Sequence, residues 1–191
     1  MIYLSIDLDY WGEKLPLDWF EQIAVLPVSK VVVISHEHLI GHANKFTAEF
    51  DTLVNIDYHS DLASHDGEPI QKDEGTWANF IKQSKEKVFI WAPPRRECLT
   101  HSTGYCHGVG YLNPFRTKNP DKNGWRQAKI QTRFIPDLSQ CVAVGISLSP
   151  YWTSCEIMYQ FAKWHQQHVG KFQLGSGVKT TLQSAMKLEQ A

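Results

Sequence analysis

DTLVNIDYHSD, residues 51–61, runs from an apolar segment straight into two aspartates and a histidine. Leu53, Val54 and Ile56 read as a buried strand; Asp57 and His59, two positions apart, project from one face of it, and Asp61 lies just past its end. An unpaired buried carboxylate costs several kcal/mol, so such a cluster needs compensating positive charge. Cationic side chains or a metal must supply it.

Two earlier stretches share the pattern. IYLSIDLDYW from Ile2 carries Asp7 and Asp9 at i and i+2, and KVVVISHEH from Lys30 closes on His36. Short Val- and Ile-rich runs of this kind are strands buried on both faces of a parallel sheet. Helix candidates separate them: LPLDWFEQIAVL, with Trp19, Phe20, Ile23 and Leu26 at helical spacing after Pro16, and HLIGHANKFTAEF. Farther on, EGTWANFIKQS reads as helix, KVFIWAPP as a strand stopped by Pro93 and Pro94, CVAVGISLSPYW as a strand, and SCEIMYQFAKWHQQH as an amphipathic helix. The alternation predicts one α/β domain over residues 1–191, three layers (α/β/α) around a mainly parallel sheet, with a loosely ordered tail after about residue 175. Residues 95–128, rich in Gly, Pro, Asn and Arg, are the least regular stretch and a candidate substrate-facing insertion.

The carboxyl ends of parallel strands lie along one edge, so Asp7, Asp9, His36, Asp57, His59 and Asp61 are expected to converge whatever their order in the chain. Four carboxylates there repel strongly, and two divalent cations would neutralise them. An oxygen-rich donor set without thiolate favours Mn2+ over zinc, two ions per chain. Two metals about 3.5–4 Å apart hold and deprotonate a bridging water, and hydrolysis is the natural use of that arrangement.

Composition is consistent with this reading. The chain has 191 residues, 42% hydrophobic and 12% aromatic, as expected of a globular domain. No apolar run has the length of a membrane span, and the N-terminus lacks a basic segment followed by an apolar signal core, so a cytoplasmic location without membrane partner is expected. Four scattered cysteines form no disulfide framework. The net charge of -1 conceals an asymmetry: residues 1–75 hold 14 Asp/Glu against 4 Lys/Arg, whereas residues 76–191 hold 6 against 15. The acidic half suits cations, and the basic half reads more simply as a solvated face than as a nucleic-acid surface. Five of the nine histidines, His36, His38, His42, His59 and His65, fall in one 30-residue window.

DYHSD resembles the D-A-H-x-D motif of the arginase/agmatinase ureohydrolases, SIDLDYW their S-x-D-x-D, and SHEHLIG their G-G-D-H-S-x-x-x-G. The chain is most similar to the short branch that includes peptide arginases, which convert arginine in ribosomally made peptides to ornithine. The resemblance implies an arginase-like fold in which Asp57 and Asp7 bridge two Mn2+ ions, His36 and Asp61 complete one site, and His59 and Asp9 complete the other. His36 is preferred to His38 because Gly41 follows it by five residues, as in the family. His38 then falls behind the ligands or on the substrate side. Asp61 is expected to relay a proton to the departing nitrogen. An arginine-containing precursor peptide is the implied partner.

The order of the motifs departs from the family, in which S-x-D-x-D follows D-x-H-x-D. The family's guanidinium-binding glutamate aligns with Ser147, ahead of Pro150, so another carboxylate must take its place. Glu74, in DEGTW, is the candidate, since a guanidinium wants a planar carboxylate fork; Glu156 is the reserve. A free guanidino compound as substrate, a metal-stabilised peptide-binding protein, and amide hydrolysis of the deacetylase kind are the competing readings. IDLDYW alone also resembles the nucleophile strand of haloacid dehalogenase-like phosphatases, which leaves His36 and His59 without roles. Cys98, His101, Cys106 and His107 fit no common zinc spacing and read as loop residues. Trp77 and Trp91 read as core.

Overall fold

The computed structural model of the chain describes residues 1–59, 61, 72, 75–82, 86–94, 125, 127–132 and 134–188. Among the described residues seven parallel strands form one sheet: β1 (Ile2–Asp7), β2 (Ser29–Val33), β3 (Thr52–Ile56), β4 (Val88–Ala92), β5 (Gln127–Ile130), β6 (Cys141–Ser147) and the two-residue β7 (Gln173–Leu174). Their spatial order is β5-β4-β3-β1-β6-β2-β7. The expected α/β class with helices on both faces of a parallel sheet is what the chain adopts.

Alternation along β1 divides the core. Leu4 and Ile6 face one side, where α1 (Leu17–Val25), α3 (Cys155–Gln166) and α4 (Val178–Leu188) pack through Phe20 and Ile23, Phe161 and Trp164, and Val178 and Leu182, respectively. Tyr3 faces the other, with Val31, Val33, Leu53 and Phe89, under α2 (Leu39–Ala43) and the 3₁₀ turn Trp77–Phe80. Gly145 of β6 is required by that second layer. A Cβ there would lie 2.6 Å from Leu39 Cδ2 and 2.7 Å from the Tyr3 hydroxyl.

Four expectations need correction. The tail after residue 175 is not loose: Val178, Leu182 and Ala185 of α4 are buried against the core, and each large apolar side chain so buried contributes about 1.5–3 kcal/mol. The helix between β2 and β3 is shorter than HLIGHANKFTAEF suggested, ending at Ala43. Among the described residues of EGTWANFIKQS, the helical element is the 3₁₀ turn Trp77–Phe80. Finally, β1 and β3 stop earlier than their alternation implied, at Asp7 and Ile56, so Asp9, Asp57 and His59 sit in turns beyond the strands. Among the described residues no helix is long and apolar enough to cross a membrane.

Candidate metal centre

The strands carrying the candidate ligands are neighbours, in the run β3-β1-β6-β2. Pairing sets their ends level: Ile6 lies opposite Ile56, and Asp7 and Val33 both lie opposite Ser147. Asp57, Asp7 and the turn after β2 therefore open on the same edge of the sheet.

Both aspartate-bearing strands end by the same local device. The Asp7 carboxylate accepts a hydrogen bond from the Asp9 backbone N–H at 3.1 Å, and the Asp57 carboxylate accepts one from the His59 N–H at 2.8 Å. An aspartate that binds the backbone two residues on turns the chain out of the strand. Each turn swings the next ligand, Asp9 or His59, back over the strand end.

The groups meet as two overlapping sets. His36 Nδ1 lies 2.7 Å from Asp61 Oδ2 and 3.3 Å from both Asp7 Oδ2 and Asp57 Oδ2. His59 Nδ1 lies 3.2 Å from Asp9 Oδ2 and 3.7 Å from Asp57 Oδ1. Asp7, His36 and Asp57 form one group able to hold a metal ion, and Asp9, Asp57 and His59 another, the donor atoms of each lying within 4.8 Å of one another. Asp57 is common to both. Asp7 belongs to the first alone, its Oδ1 taken by the Asp9 N–H and its Oδ2 by the Ser149 hydroxyl at 2.5 Å.

Electrostatics show why the cluster wants a cation. Burial, then the neighbouring carboxylates, raise the ionisation of Asp7, Asp9 and Asp57 above the usual carboxylate range. Burial opposes a charge on His36, yet the charges of Asp61 and Asp7 and the hydrogen bonds the ring donates to Asp57 and Asp61 outweigh it and hold the ring well above an ordinary histidine. His59 behaves alike: burial works against its proton, and the hydrogen bond it donates to Asp9, with the charges of Asp57 and Asp9, raises it to about 10. The protein alone thus keeps protons where positive charge is needed. Asp9 Oδ1 is buried with no hydrogen-bond partner, an orphan that a bound cation satisfies. A metal ion that takes carboxylate oxygen and imidazole fits the set.

Behind these groups lies a layer not foreseen from the motifs. Ser5 and Asn55, paired across β1 and β3, stand two positions before Asp7 and Asp57 on the same faces. Ser5 Oγ is 3.1 Å from His36 Nε2, which leaves Nδ1 to face the carboxylates. Asn55 Nδ2 donates to Asp57 Oδ2 at 3.1 Å and to Asp61 Oδ2 at 3.3 Å. Trp77, fully buried as expected of a core residue, also stacks on His36 and donates its indole N–H to Asp61 Oδ2 at 2.5 Å. The Trp91 indole donates to the Asp57 carbonyl at 3.0 Å. Polar residues at i−2 inside otherwise apolar strands were the available signal for Ser5 and Asn55. Nothing local marks Trp77.

Other sequence candidates fall elsewhere. His38 is exposed, its Nε2 3.9 Å from Glu37 Oε1, whereas His36 is buried in the cluster. Glu156 is exposed at the start of α3 and bonded to Gln160. Ser147, aligned with the family glutamate, is buried and pairs with Ser149 at 2.9 Å. Glu74, Cys98, His101, Cys106 and His107 lie outside the described residues.

Comparison of the chain with protein-family models, with curated proteins and with solved structures finds no match in any of the three.

Proposed function

We propose that the chain is a dinuclear manganese hydrolase that converts arginine side chains of a peptide to ornithine with release of urea. One observation carries the proposal: the two oxygens of Asp57 are divided between two Asp/His groups, Oδ2 beside His36 and Oδ1 beside His59. A carboxylate so divided is what joins two ions about 3.5–4 Å apart in two-metal hydrolases. Four carboxylates and two imidazoles without a thiolate favour manganese. The choice of a guanidino substrate rests on the resemblance carried by SIDLDYW, SHEHLIG and DYHSD.

Bound there, divalent cations supply Lewis acidity and bring the ionisation of water toward neutral pH. The chain's own groups do the rest. Ser5 holds Nε2 of His36 so that Nδ1 faces the carboxylates, and Asn55 and Trp77 hold Asp61 Oδ2, so proton transfer falls to Asp61 Oδ1. Water adds to the guanidino carbon, the carbon–nitrogen bond to the side chain breaks, and Asp61 passes the proton to the departing amine. Ornithine and urea are the products.

The test is incubation of manganese-loaded protein with an arginine-containing peptide, free arginine and agmatine. Urea from the peptide, with a peptide mass lower by urea minus water, is expected, and Asp61→Asn should abolish it. Equal turnover of free arginine or agmatine would replace the peptide with a small guanidino substrate. Peptide binding without urea from the parent protein would make it a binding protein.

A further inference from the structure

Among the described residues, two that are not glycine hold a left-handed backbone: Asp61, with φ of 57°, and Ser149, with φ of 42°. That region favours glycine, because the Cβ of any other residue crowds the neighbouring backbone. Asp61 is one of the clustered carboxylates. Ser149 belongs to neither metal-binding group, so the reason for a serine where the backbone favours glycine lies in its side chain.

The chain around it is fastened to the centre. Ser147, the last residue of β6, pairs in register with Asp7. Leu148 N–H and Ser149 N–H then donate to the carbonyls of Val33 and Ile34, at 3.0 and 2.8 Å, continuing the sheet past its last paired residues. The Ser149 carbonyl accepts from the N–H groups of Trp152 and Thr153 at 2.9 Å, while the Thr153 hydroxyl closes on the Leu148 carbonyl at 2.7 Å. A turn tied on both sides fixes the direction of the Ser149 side chain. Its hydroxyl donates to Asp7 Oδ2 at 2.5 Å, and the Ser147 hydroxyl stands 2.9 Å behind it. A charged carboxylate only accepts, so the two protons point one way, from Ser147 to Ser149 to Asp7. All three residues are buried, where a hydroxyl bond to a carboxylate is roughly twice as strong as one between neutral groups.

Each oxygen of Asp7 is thereby assigned. Oδ1 accepts from the Asp9 N–H at 3.1 Å, and Oδ2, held by Ser149, lies 3.3 Å from His36 Nδ1. We propose that Ser149 is a positioning residue of the candidate metal centre: its hydroxyl aims Asp7 Oδ2 at the ion that His36 and Asp57 hold, and leaves the ion beside His59 to Asp9 and Asp57. The resemblance alone would set Asp7 between both ions. The inference rests on the two-ion reading above and asks nothing of the substrate.

The test is a manganese titration of chelator-stripped protein, with the free ion followed by EPR, for the parent, Ser149→Gly and Ser149→Ala. Glycine suits the left-handed backbone and lacks only the hydroxyl, so a role confined to the turn predicts an unchanged affinity. We expect both variants to bind one of the two ions about 10- to 100-fold more weakly, the usual effect of losing an outer hydrogen bond to a metal ligand, and the other ion as the parent does. In His59→Gln, which is expected to keep the ion at His36, adding Ser149→Gly should cost the same factor. In His36→Gln, which is expected to keep the ion at His59, it should cost nothing. Parental affinity for both ions in Ser149→Gly, or a further loss in the His36→Gln background, overturns the inference. A parent that takes up a single ion overturns the two-ion reading; weaker binding of that ion in Ser149→Gly then upholds the role of Ser149, and equal binding refutes it. A parent that takes up no manganese overturns both.

Discussion

The Trp77 indole lies nearly parallel to the His36 imidazole, ring centroids 5.2 Å apart and planes 23° from each other, and its N–H ends on Asp61 Oδ2 at 2.5 Å. One buried side chain thereby orients two groups of the candidate metal centre that are 25 positions apart in the sequence. Replacing Trp77 by Phe keeps an aromatic surface and removes only the N–H. Loss of an outer hydrogen bond to a metal ligand typically costs 10- to 100-fold in affinity. We expect a weakening of about 10-fold or more in chelator-competition titrations, and an unchanged affinity would mean that Asp61 does not need the indole.

Asp57 is the carboxylate common to both groups, so its loss should remove the link between them and not merely one donor. On the proposed dinuclear manganese reading, Asp57→Asn is expected to reduce bound manganese from two ions per chain to one or none, measured by equilibrium dialysis with elemental analysis. Stripping the parent protein with chelator should lower its thermal midpoint, because four carboxylates remain clustered without the cations; restoring metal at a thousandfold excess over Kd adds about 4 kcal/mol. Retention of two ions by Asp57→Asn would refute the shared role.

Away from the centre, His42 makes stability depend on pH. Its Nδ1 lies 2.9 Å from the Tyr3 hydroxyl and its Nε2 3.0 Å from Ser29 Oγ; burial, with a smaller contribution from Lys45, lowers its ionisation to about 4. Between pH 6.5 and about 4 the unfolded chain therefore binds a proton that the folded chain refuses. The stabilisation is fully present above pH 6.5 and is lost as pH falls toward 4, up to about 3 kcal/mol in all. Denaturant titrations of the parent and His42→Gln over this range should converge as the pH drops. Parallel curves would show that His42 does not carry the dependence.

Gly145 is open to a sharper test of packing. Leu39 and Tyr3 are both fully buried, and an added methyl group would stand 2.6 Å from one and 2.7 Å from the other. Overpacking a well-filled core costs about 1–3 kcal/mol, so Gly145→Ala should lower the thermal midpoint by several degrees, at roughly 2–4 °C per kcal/mol for a chain of this size. A midpoint equal to that of the parent would mean that α2 moves aside freely.

What the amino-acid sequence determined by itself was the five apolar strands β1, β2, β3, β4 and β6 and the kind of group that follows β1, β2 and β3; β5 and the two-residue β7 carry no such apolar run. Leu53, Val54 and Ile56 run into Asp57, and Val31 to Val33 lead to His36, because burial of a strand on both faces demands an unbroken apolar run and any polar residue at its end is conspicuous. That parallel strands deliver their ends to one edge needed no further information. Tertiary structure alone decided that β1 lies between β3 and β6, which brings Asp7 beside both Asp57 and Ser149. Such pairings depend on hydrogen bonds between segments far apart in the chain, and local periodicity does not encode them. The turns at Asp7 and Asp57 escaped notice for a related reason: an aspartate can either continue a strand or bind the backbone two residues ahead, and the neighbouring strand ends choose between the two. Trp77 and Ser149 are plain core or loop residues in one dimension, and only folding sets them against His36 and Asp7.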